Sequence, residues 1–234
     1  MENQHSELAS SESTEDVNLT VEQAIANLED EDNLSSRYYA AWWLGRFRVQ
    51  EPKAVNALLN ALEDEKAISP DGSYPLKRNA ARALGKLQDS RAVDPLIRCL
   101  DCSDYYVRKA AAEALEMLED TRSIPPLKKL LDGGIEAAKL VPGKPHLTQP
   151  YEAVIEALGT LGATDCIPLI KPFLEHFVEK IQYGAARAMY QLTRSPIYGD
   201  RLIKALQNED LQLRRSAKLL KKSGGTRRKL GDKD

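Results

Sequence analysis

Aromatic and basic side chains recur at one spacing near the start of the chain, in a pattern that could hold a flat, acidic ligand. Tyr38, Trp42 and Arg46 are each four residues apart, and Arg78 and Arg82 repeat that spacing. Residues four apart lie on one face of an α-helix. Arginine binds carboxylates through paired hydrogen bonds, and tryptophan or tyrosine rings stack on conjugated systems. These five residues therefore predict a binding site for a planar, conjugated molecule that carries carboxylates.

The residue patterns of a self-contained active site are missing from the sequence. It contains no G-x-x-x-x-G-K-[ST] phosphate loop, no H-E-x-x-H and no G-x-S-x-G. Cys99 and Cys102 form a single C-x-x-C, without the two further ligands that a zinc site needs, so no metal site is predicted. We expect Cys99 to be buried in packing. Catalysis would then act by positioning; a carboxylate such as Glu113 or Glu156 could assist proton transfer, although solvated surface is the simpler interpretation of both.

The elements that must position these residues are repeated helices. A segment of the type Ala-x-x-x-Leu recurs, most often at intervals of 31 residues. Its anchors are Leu44, Leu84, Leu115, Leu158, Met189 and Leu220. Before each anchor lies another apolar segment of helical spacing, and these end at Leu28, Leu62, Leu100, Leu131, Leu174 and Leu206. Two helices per unit, stacked on their neighbours, predict an all-α fold: an α-solenoid of about six HEAT-like two-helix repeats.

The repeats also define a domain organisation. We expect a disordered acidic leader over residues 1–17, the solenoid over 18–223 and a basic flexible tail over 224–234. Two segments break the repeat, one near 65–75 and a Gly- and Pro-rich one near 133–150. Insertions in solenoids often lie beside a binding face, so both are candidate lips of a site, and ordinary loops are an equal alternative.

Composition excludes several classes of protein. The chain has 33 Lys and Arg against 35 Asp and Glu, a net charge of −2, which argues against nucleic acid as a partner. No apolar run is long enough to span a membrane. Three cysteines and no apparent signal segment favour the reducing cytoplasm.

One structural alternative concerns the two tryptophans. A pair of tryptophans in a terminal repeat could cover the open end of the solenoid instead of binding a ligand. That alternative is as good as the functional one for Trp43, which is next to the alanine seam. It is weaker for Trp42, whose counterparts in the other repeats are Arg82, Glu113, Glu156 and Arg187, all residue types that prefer the surface.

Several segments together resemble one protein family. They are RYYAAWWLGRFRV (37–49), YPLKRNAARALGKL (74–87), LIRCLDCSDYYVRKAAAEALEML (96–118), VPGKPHLTQPYEAVIEALGTLGATDCIPLI (141–170) and QYGAARAMYQLT (182–193). The family is the E-type subunit of the phycocyanobilin lyase for the phycocyanin alpha subunit, a cyanobacterial group of HEAT-like proteins. The resemblance covers roughly residues 19–215, and WWLGRF and PGKPHLTQPY are more specific than a generic repeat.

The resemblance implies a function. Such a subunit pairs with an F-type subunit, and the heterodimer attaches phycocyanobilin through a thioether to a cysteine of the apo-phycocyanin alpha subunit. Phycocyanobilin is then a substrate and no prosthetic group is needed. The acceptor protein supplies the nucleophile, and the bilin has the conjugated ring system and two propionates that the aromatic and basic residues would suit. Tyr38, Trp42, Arg46, Arg78 and Arg82 are accordingly the predicted bilin-facing residues.

Other functions remain open at this point. The chain could belong to a related phycoerythrocyanin or phycoerythrin lyase, or to a non-catalytic scaffold for phycobilisome assembly or degradation. Family members continue past the LQLRR stretch (211–215) with more helical repeats, whereas this chain ends in SAKLLKKSGGTRRKLGDKD. The resemblance therefore implies a shortened C-terminus, which puts partner binding or activity in question if the missing repeat contacts the partner.

Overall fold

A computed structural model describes residues 19–206 of the chain. The described residues form twelve α-helices, and two segments of them are joined by a single isolated antiparallel bridge between Leu140 and Leu147. The helices are α1 (Val21–Glu29), α2 (Leu34–Arg46), α3 (Pro52–Glu63), α4 (Pro75–Leu87), α5 (Val93–Cys99), α6 (Tyr105–Leu118), α7 (Ile124–Lys129), α8 (Gly134–Ala137), α9 (Tyr151–Thr160), α10 (Ile167–Ile170), α11 (Glu179–Thr193) and α12 (Pro196–Leu206).

The helices pair as the repeat predicts. The first helices of the units are α1, α3, α5, α7, α10 and α12, and the second helices are α2, α4, α6, α9 and α11, each packed against the next second helix along the chain. The α-solenoid is therefore confirmed. Leu220, with the second helix predicted around it, lies outside the described residues, as do the predicted leader (1–17) and tail (224–234).

The core runs along the second helices. All five described anchors are buried, from Leu44 to Met189, and the alanines that precede them are buried too. In three of these helices a glycine follows the anchor, and a Cβ added to it would lie only 2.6–2.7 Å from the Cα of an alanine in the next second helix. The backbones of neighbouring repeats thus approach so closely that no side chain fits between them. These glycines are Gly45, Gly85 and Gly159.

Local signals explain where helices begin. Thr20 and Gln23 form a capping box at the start of α1, and the Asp104 carboxylate accepts hydrogen bonds from two backbone N–H groups of the first turn of α6. Pro52 occupies the first turn of α3, where a missing N–H costs nothing. The first helices α5, α7 and α10 are short, with 7, 6 and 4 residues. Of these, α10 passes directly into a 3-10 turn, Lys171–Glu175.

Both insertions lie where the sequence predicts interruptions of the repeat. The first, between α3 and α4, consists of turns around Gly72, which has a left-handed φ of +78°. The second, between α7 and α9, contains the short helix α8 and the bridge, neither of which the sequence pattern indicates. None of the helices within residues 19–206 is both long and apolar enough to cross a bilayer.

Candidate functional site

The five predicted ligand-facing residues lie on two adjacent second helices. Tyr38, Trp42 and Arg46 belong to α2, and Arg78 and Arg82 to α4. Trp42 and Arg46 are exposed, and the other three are half-buried. The structure therefore leaves these side chains on packed helices with part of each open to solvent.

The aromatic part of this group is built differently from the sequence expectation. The Trp42 ring stacks on Tyr39 with centroids 5.5 Å apart and an interplanar angle of 30°. Both rings are nearly half exposed, at 44% and 48%. Tyr39 was missed because the four-residue spacing selects Tyr38, which instead packs against the core while its carbonyl accepts a hydrogen bond from Asn79 Nδ2. Trp43 packs partly buried against Phe47, which fits the end-covering role considered for it.

The two arginines of α4 have different surroundings. The Arg78 guanidinium lies 5.9 Å from the ring centroid of Tyr106, and its Nε is buried without a hydrogen-bond partner among the described residues. Arg82 lies 3.8 Å from the carboxylate of Glu113, which also receives Lys109 at 3.7 Å. These distances are long for ion pairs, so a carboxylate from a ligand could still compete for Arg82.

The two insertions meet beside Tyr106. With the N-terminus of α6 they enclose a cavity of about 500 Å³, to which the first insertion contributes Asp71 and the second contributes Lys144 and His146. Arg108 fixes the second insertion, because its guanidinium donates to the carbonyls of Cys102, Ser103 and Thr148 and to Gln149 Oε1 at 2.7–2.9 Å. Both insertions therefore line one cavity.

This insertion cavity has a wall of aromatic rings. His146 stacks on Tyr105 with centroids 4.2 Å apart and an interplanar angle of 9°, and the edge of Tyr106 faces it at 5.8 Å. Burial raises the pKa of Tyr105 to about 12, helped by the negative charge of Glu152. The Tyr105 phenol therefore stays neutral at physiological pH.

A second cavity, of about 840 Å³, runs along the C-terminal ends of the second helices from α4 to α11. At its centre Arg187 pairs with Glu116 at 2.9 Å and with Glu156 at 3.1 Å, so one guanidinium on α11 joins two carboxylates on α6 and α9. None of the five predicted residues is among its lining residues. Arg187, Glu116 and Glu156 together form the Arg187 cluster.

Glu156 and Arg187 correct the expectation of solvated surface. Their side chains are only 16% and 13% exposed. Burial raises the pKa of Glu156 to about 7, although Arg187 opposes that shift; the charges of Glu152 and Glu116 raise it further. The sequence argument failed here because a residue type that usually prefers water can be buried where an opposite charge meets it.

The predicted burial of Cys99 is confirmed. Cys99 is buried as expected, and burial raises the pKa of its thiol to about 12. Burial likewise raises the pKa of Cys166 to about 11, while Cys102 is half-buried. In the part of the chain that the structure describes, no three His, Cys, Asp or Glu side chains come together as a metal site would require.

Known proteins share both the repeat and the sequence of this chain. Residues 65–136 match the family of HEAT repeats, and residues 36–64 and 150–176 match the family of PBS lyase HEAT-like repeats. The chain is 63% identical over 198 residues to the phycocyanobilin lyase subunit alpha of Synechocystis sp. strain PCC 6803, covering 85% of this chain and 73% of that protein. It is 43% identical over 199 residues to the bilin biosynthesis protein PecE of Nostoc sp. strain PCC 7120, with the same coverage of each chain.

One solved structure is similar throughout. It is the complex of CpcE and CpcF of phycocyanin lyase from Nostoc sp. PCC 7120, of which one chain matches with a TM-score of 0.83 at 59% identity. The match covers 91% of this chain and 79% of that one.

Proposed function

The chain belongs to the family of phycocyanobilin lyase alpha subunits, and from that membership we propose that it is one half of a heterodimeric bilin lyase. With an F-type partner subunit it binds phycocyanobilin and promotes its thioether attachment to a cysteine of the phycocyanin alpha subunit. The observation that carries the proposal is the 63% identity to a phycocyanobilin lyase alpha subunit along 85% of the chain. The identity to the bilin biosynthesis protein PecE is lower, at 43%, which favours the phycocyanobilin lyase function.

The chemistry of the chain is consistent with a nucleophile from outside. Attachment adds a cysteine S–H across the ethylidene double bond of the bilin: sulfur bonds to the exocyclic carbon, and a proton ends on the neighbouring ring carbon. Cys99 and Cys166 are buried thiols with pKa values raised to about 12 and about 11, so neither is a thiolate at neutral pH. The acceptor protein supplies the reacting sulfur, and the lyase contributes proximity and orientation.

The bilin is proposed to lie along α2 and α4. Trp42, stacked on the equally exposed Tyr39, offers a flat apolar surface to the conjugated rings. Arg46, Arg78 and Arg82 are then the cations for the two propionates. Arg78 is the strongest of these candidates, because its Nε lacks a partner within the described residues. The cyanobacterial cytosol, where phycobilisomes are assembled, is the compartment that this role implies.

A reconstituted reaction tests the function. The chain is combined with an F-type subunit, apo-phycocyanin alpha subunit and phycocyanobilin, and covalent product is detected by zinc-induced fluorescence on a denaturing gel. We expect product above the background of spontaneous addition, with the absorption maximum of a phycocyanobilin thioether adduct in which only the ethylidene double bond is saturated. A shifted maximum would instead indicate isomerisation during attachment, and product at the background level would favour the non-catalytic scaffold.

Single substitutions test the binding residues separately. Trp42→Ala and Arg78→Ala are expected to weaken bilin binding, measured by absorbance titration of the heterodimer, and to slow transfer. Arg98→Ala is the matched control, because Arg98 is an exposed arginine of the first helix α5 that pairs with Glu63. If Arg78→Ala and Arg82→Ala left both binding and transfer at the wild-type level, the assignment would be wrong.

A further inference from the structure

The insertion cavity contains an imidazole whose hydrogen bonding leaves one nitrogen available. His146 Nδ1 lies 2.9 Å from the carbonyl oxygen of Leu147. A carbonyl can only accept, so Nδ1 carries the proton and Nε2 of the neutral ring keeps a free lone pair. Within the described part of the chain no hydrogen bond to Nε2 is formed. The ring is half-buried and lines the cavity, so this lone pair belongs to a side chain with access to a bound molecule.

The surroundings of His146 hold it in place. Its ring is parallel to that of Tyr105 and meets the edge of Tyr106, as described above. The backbone of its loop is tied down by Arg108 through Thr148 and Gln149. Fixed orientation of this kind is what a group needs for efficient proton transfer.

His176, the other histidine among the described residues, is buried and has a different set of contacts. His176 is 1% exposed, and its Nδ1 accepts a hydrogen bond from the backbone N–H of Val178 at 3.0 Å. Its ring is stacked between those of Phe173 and Phe177. His176 is therefore a packing residue, and the contrast identifies His146 as the histidine that can meet a substrate.

The insertion cavity adjoins one of the proposed bilin-binding residues through Tyr106, which lines the cavity. The guanidinium of Arg78 lies over Tyr106, and Tyr106 contacts His146. A bilin that places a propionate on Arg78 therefore has an end within reach of the cavity. The cavity volume of about 500 Å³ can admit a pyrrole ring together with a cysteine side chain.

We propose that the insertion cavity is where the acceptor cysteine meets the bilin, and that His146 is the general base that takes the thiol proton. The inference rests on the proposed lyase function and adds to it a site and a residue. His146 Nε2 accepts the S–H proton; the thiolate attacks the ethylidene carbon and forms the C–S bond; the electron pair of the double bond moves to the adjacent ring carbon. That carbon then takes the proton from the imidazolium, so the reaction needs no oxidant or further reactant.

Charged groups surround this base from every side of the cavity. The residues that line it are Asp104 just before α6, Arg108 on α6, Asp71 of the first insertion and Lys144 of the second. Arg78 on α4 lies over the ring of Tyr106, and the charge of Glu152 on α9 acts on Tyr105. Tyr105 is kept neutral by burial, as stated above. Tyr105 can therefore position the histidine without adding a negative charge at neutral pH.

The test uses the full heterodimer and follows the initial rate of covalent product from about pH 5 to pH 9, with the rate of spontaneous addition subtracted. A base must be neutral to accept a proton, so the wild-type rate should fall as the pH is lowered. His146→Gln should reduce the rate about 100-fold and abolish that fall, while bilin binding stays at the wild-type level.

A second variant separates chemistry from folding. His146→Ala leaves a space in the cavity wall, and added imidazole should restore part of the lost rate. Lys139→Ala, at an exposed residue of the same insertion, is the control for general damage to the loop. A wild-type rate and pH profile in His146→Gln would overturn the proposal. So would a slow variant that keeps the wild-type profile and is not rescued, because that result describes a structural role. Transfer by the wild-type protein above background tests the lyase function itself, independently of His146.

Discussion

The Arg187 cluster makes the stability of the chain depend on pH through one carboxyl. Burial raises the pKa of Glu156 to about 7 from an ordinary value of 4.5. The folded chain therefore binds this proton more tightly than the unfolded chain does. As pH rises from 4.5 through 7, the unfolded state loses the proton first, and the free energy of unfolding falls. The contribution of Glu156 to the free energy of unfolding is complete below the pKa of the unfolded chain, 4.5, and is lost above the pKa of the folded chain, about 7.

The size of the effect follows from the two values. Each pH unit between them changes the free energy of unfolding by about 1.4 kcal/mol, so about 2.5 kcal/mol should be lost between pH 5 and pH 8. The carboxylate is only 16% exposed, so solvent screening reduces this figure little. Glu156→Gln keeps an acceptor for Arg187 and removes the titrating group, so the variant should lack this part of the pH dependence.

Urea unfolding followed by helical circular dichroism, repeated across that pH range, measures the difference. The matched control is Glu113→Gln, since Glu113 has the same position in the preceding repeat but is 34% exposed and pairs only at 3.7 and 3.8 Å. We expect the stability of Glu156→Gln relative to wild type to rise with pH by about 2.5 kcal/mol, and that of the control to change by less than half as much. Equal pH dependence in wild type and Glu156→Gln would refute the burial argument.

Two further predictions concern packing. Gly85→Ala places a Cβ 2.7 Å from the Cα of Ala114, so it should lower the free energy of unfolding by about 1–3 kcal/mol. In the control Gly184→Ala the new Cβ meets its nearest neighbour at 3.5 Å, so the loss should be smaller or the helix should be stabilised. Urea titration compares the two variants, and equal losses would contradict the close-approach explanation. Cys102 should react with iodoacetamide in the native protein before Cys99, because burial raises the pKa of the Cys99 thiol to about 12. Mass spectrometry of the labelled peptides gives the order, and faster labelling of Cys99 would count against its burial.

The sequence predicts the fold well because the repeat is enforced by packing at every unit. Wherever second helices touch, a leucine or methionine anchor follows two buried apolar residues, which are alanines in four of the five described helices, so the period survives in the sequence and the buried positions follow from it. The charge and aromatic pattern on the exposed face is under no such constraint. The sequence could therefore identify the helices that carry Trp42 and Arg78, but Tyr39, which actually stacks on Trp42, required the geometry.

The insertion cavity shows a different limit. The sequence identifies both insertions and their possible place beside a site, yet they are far apart along the chain and neither has a period to fix its position. Arg108 of α6 holds the C-terminal end of the second insertion through Thr148 and Gln149. Asp104, just before α6, accepts a hydrogen bond from the N–H of Tyr74 at the end of the first insertion. A lone histidine in a Gly- and Pro-rich loop is uninformative until its partners are known. The stack on Tyr105 and the bond to Leu147 are what distinguish His146 from His176.

The origin of the Arg187 cluster can be traced to one residue of the repeat. The position after the anchor is glycine in α2, α4 and α9, and there the next second helix approaches within contact of the backbone. In α6 that position is Glu116, which cannot accept such an approach, and α6 and α9 pack less intimately than the neighbouring pairs. The longer insertion falls between the same two repeats. Because α6 and α9 are less closely packed there, the Glu116 carboxylate has space to accept hydrogen bonds from Arg187 and Thr160. The glutamate that replaces the repeat's glycine thus forms part of the charged cluster that lines the larger cavity.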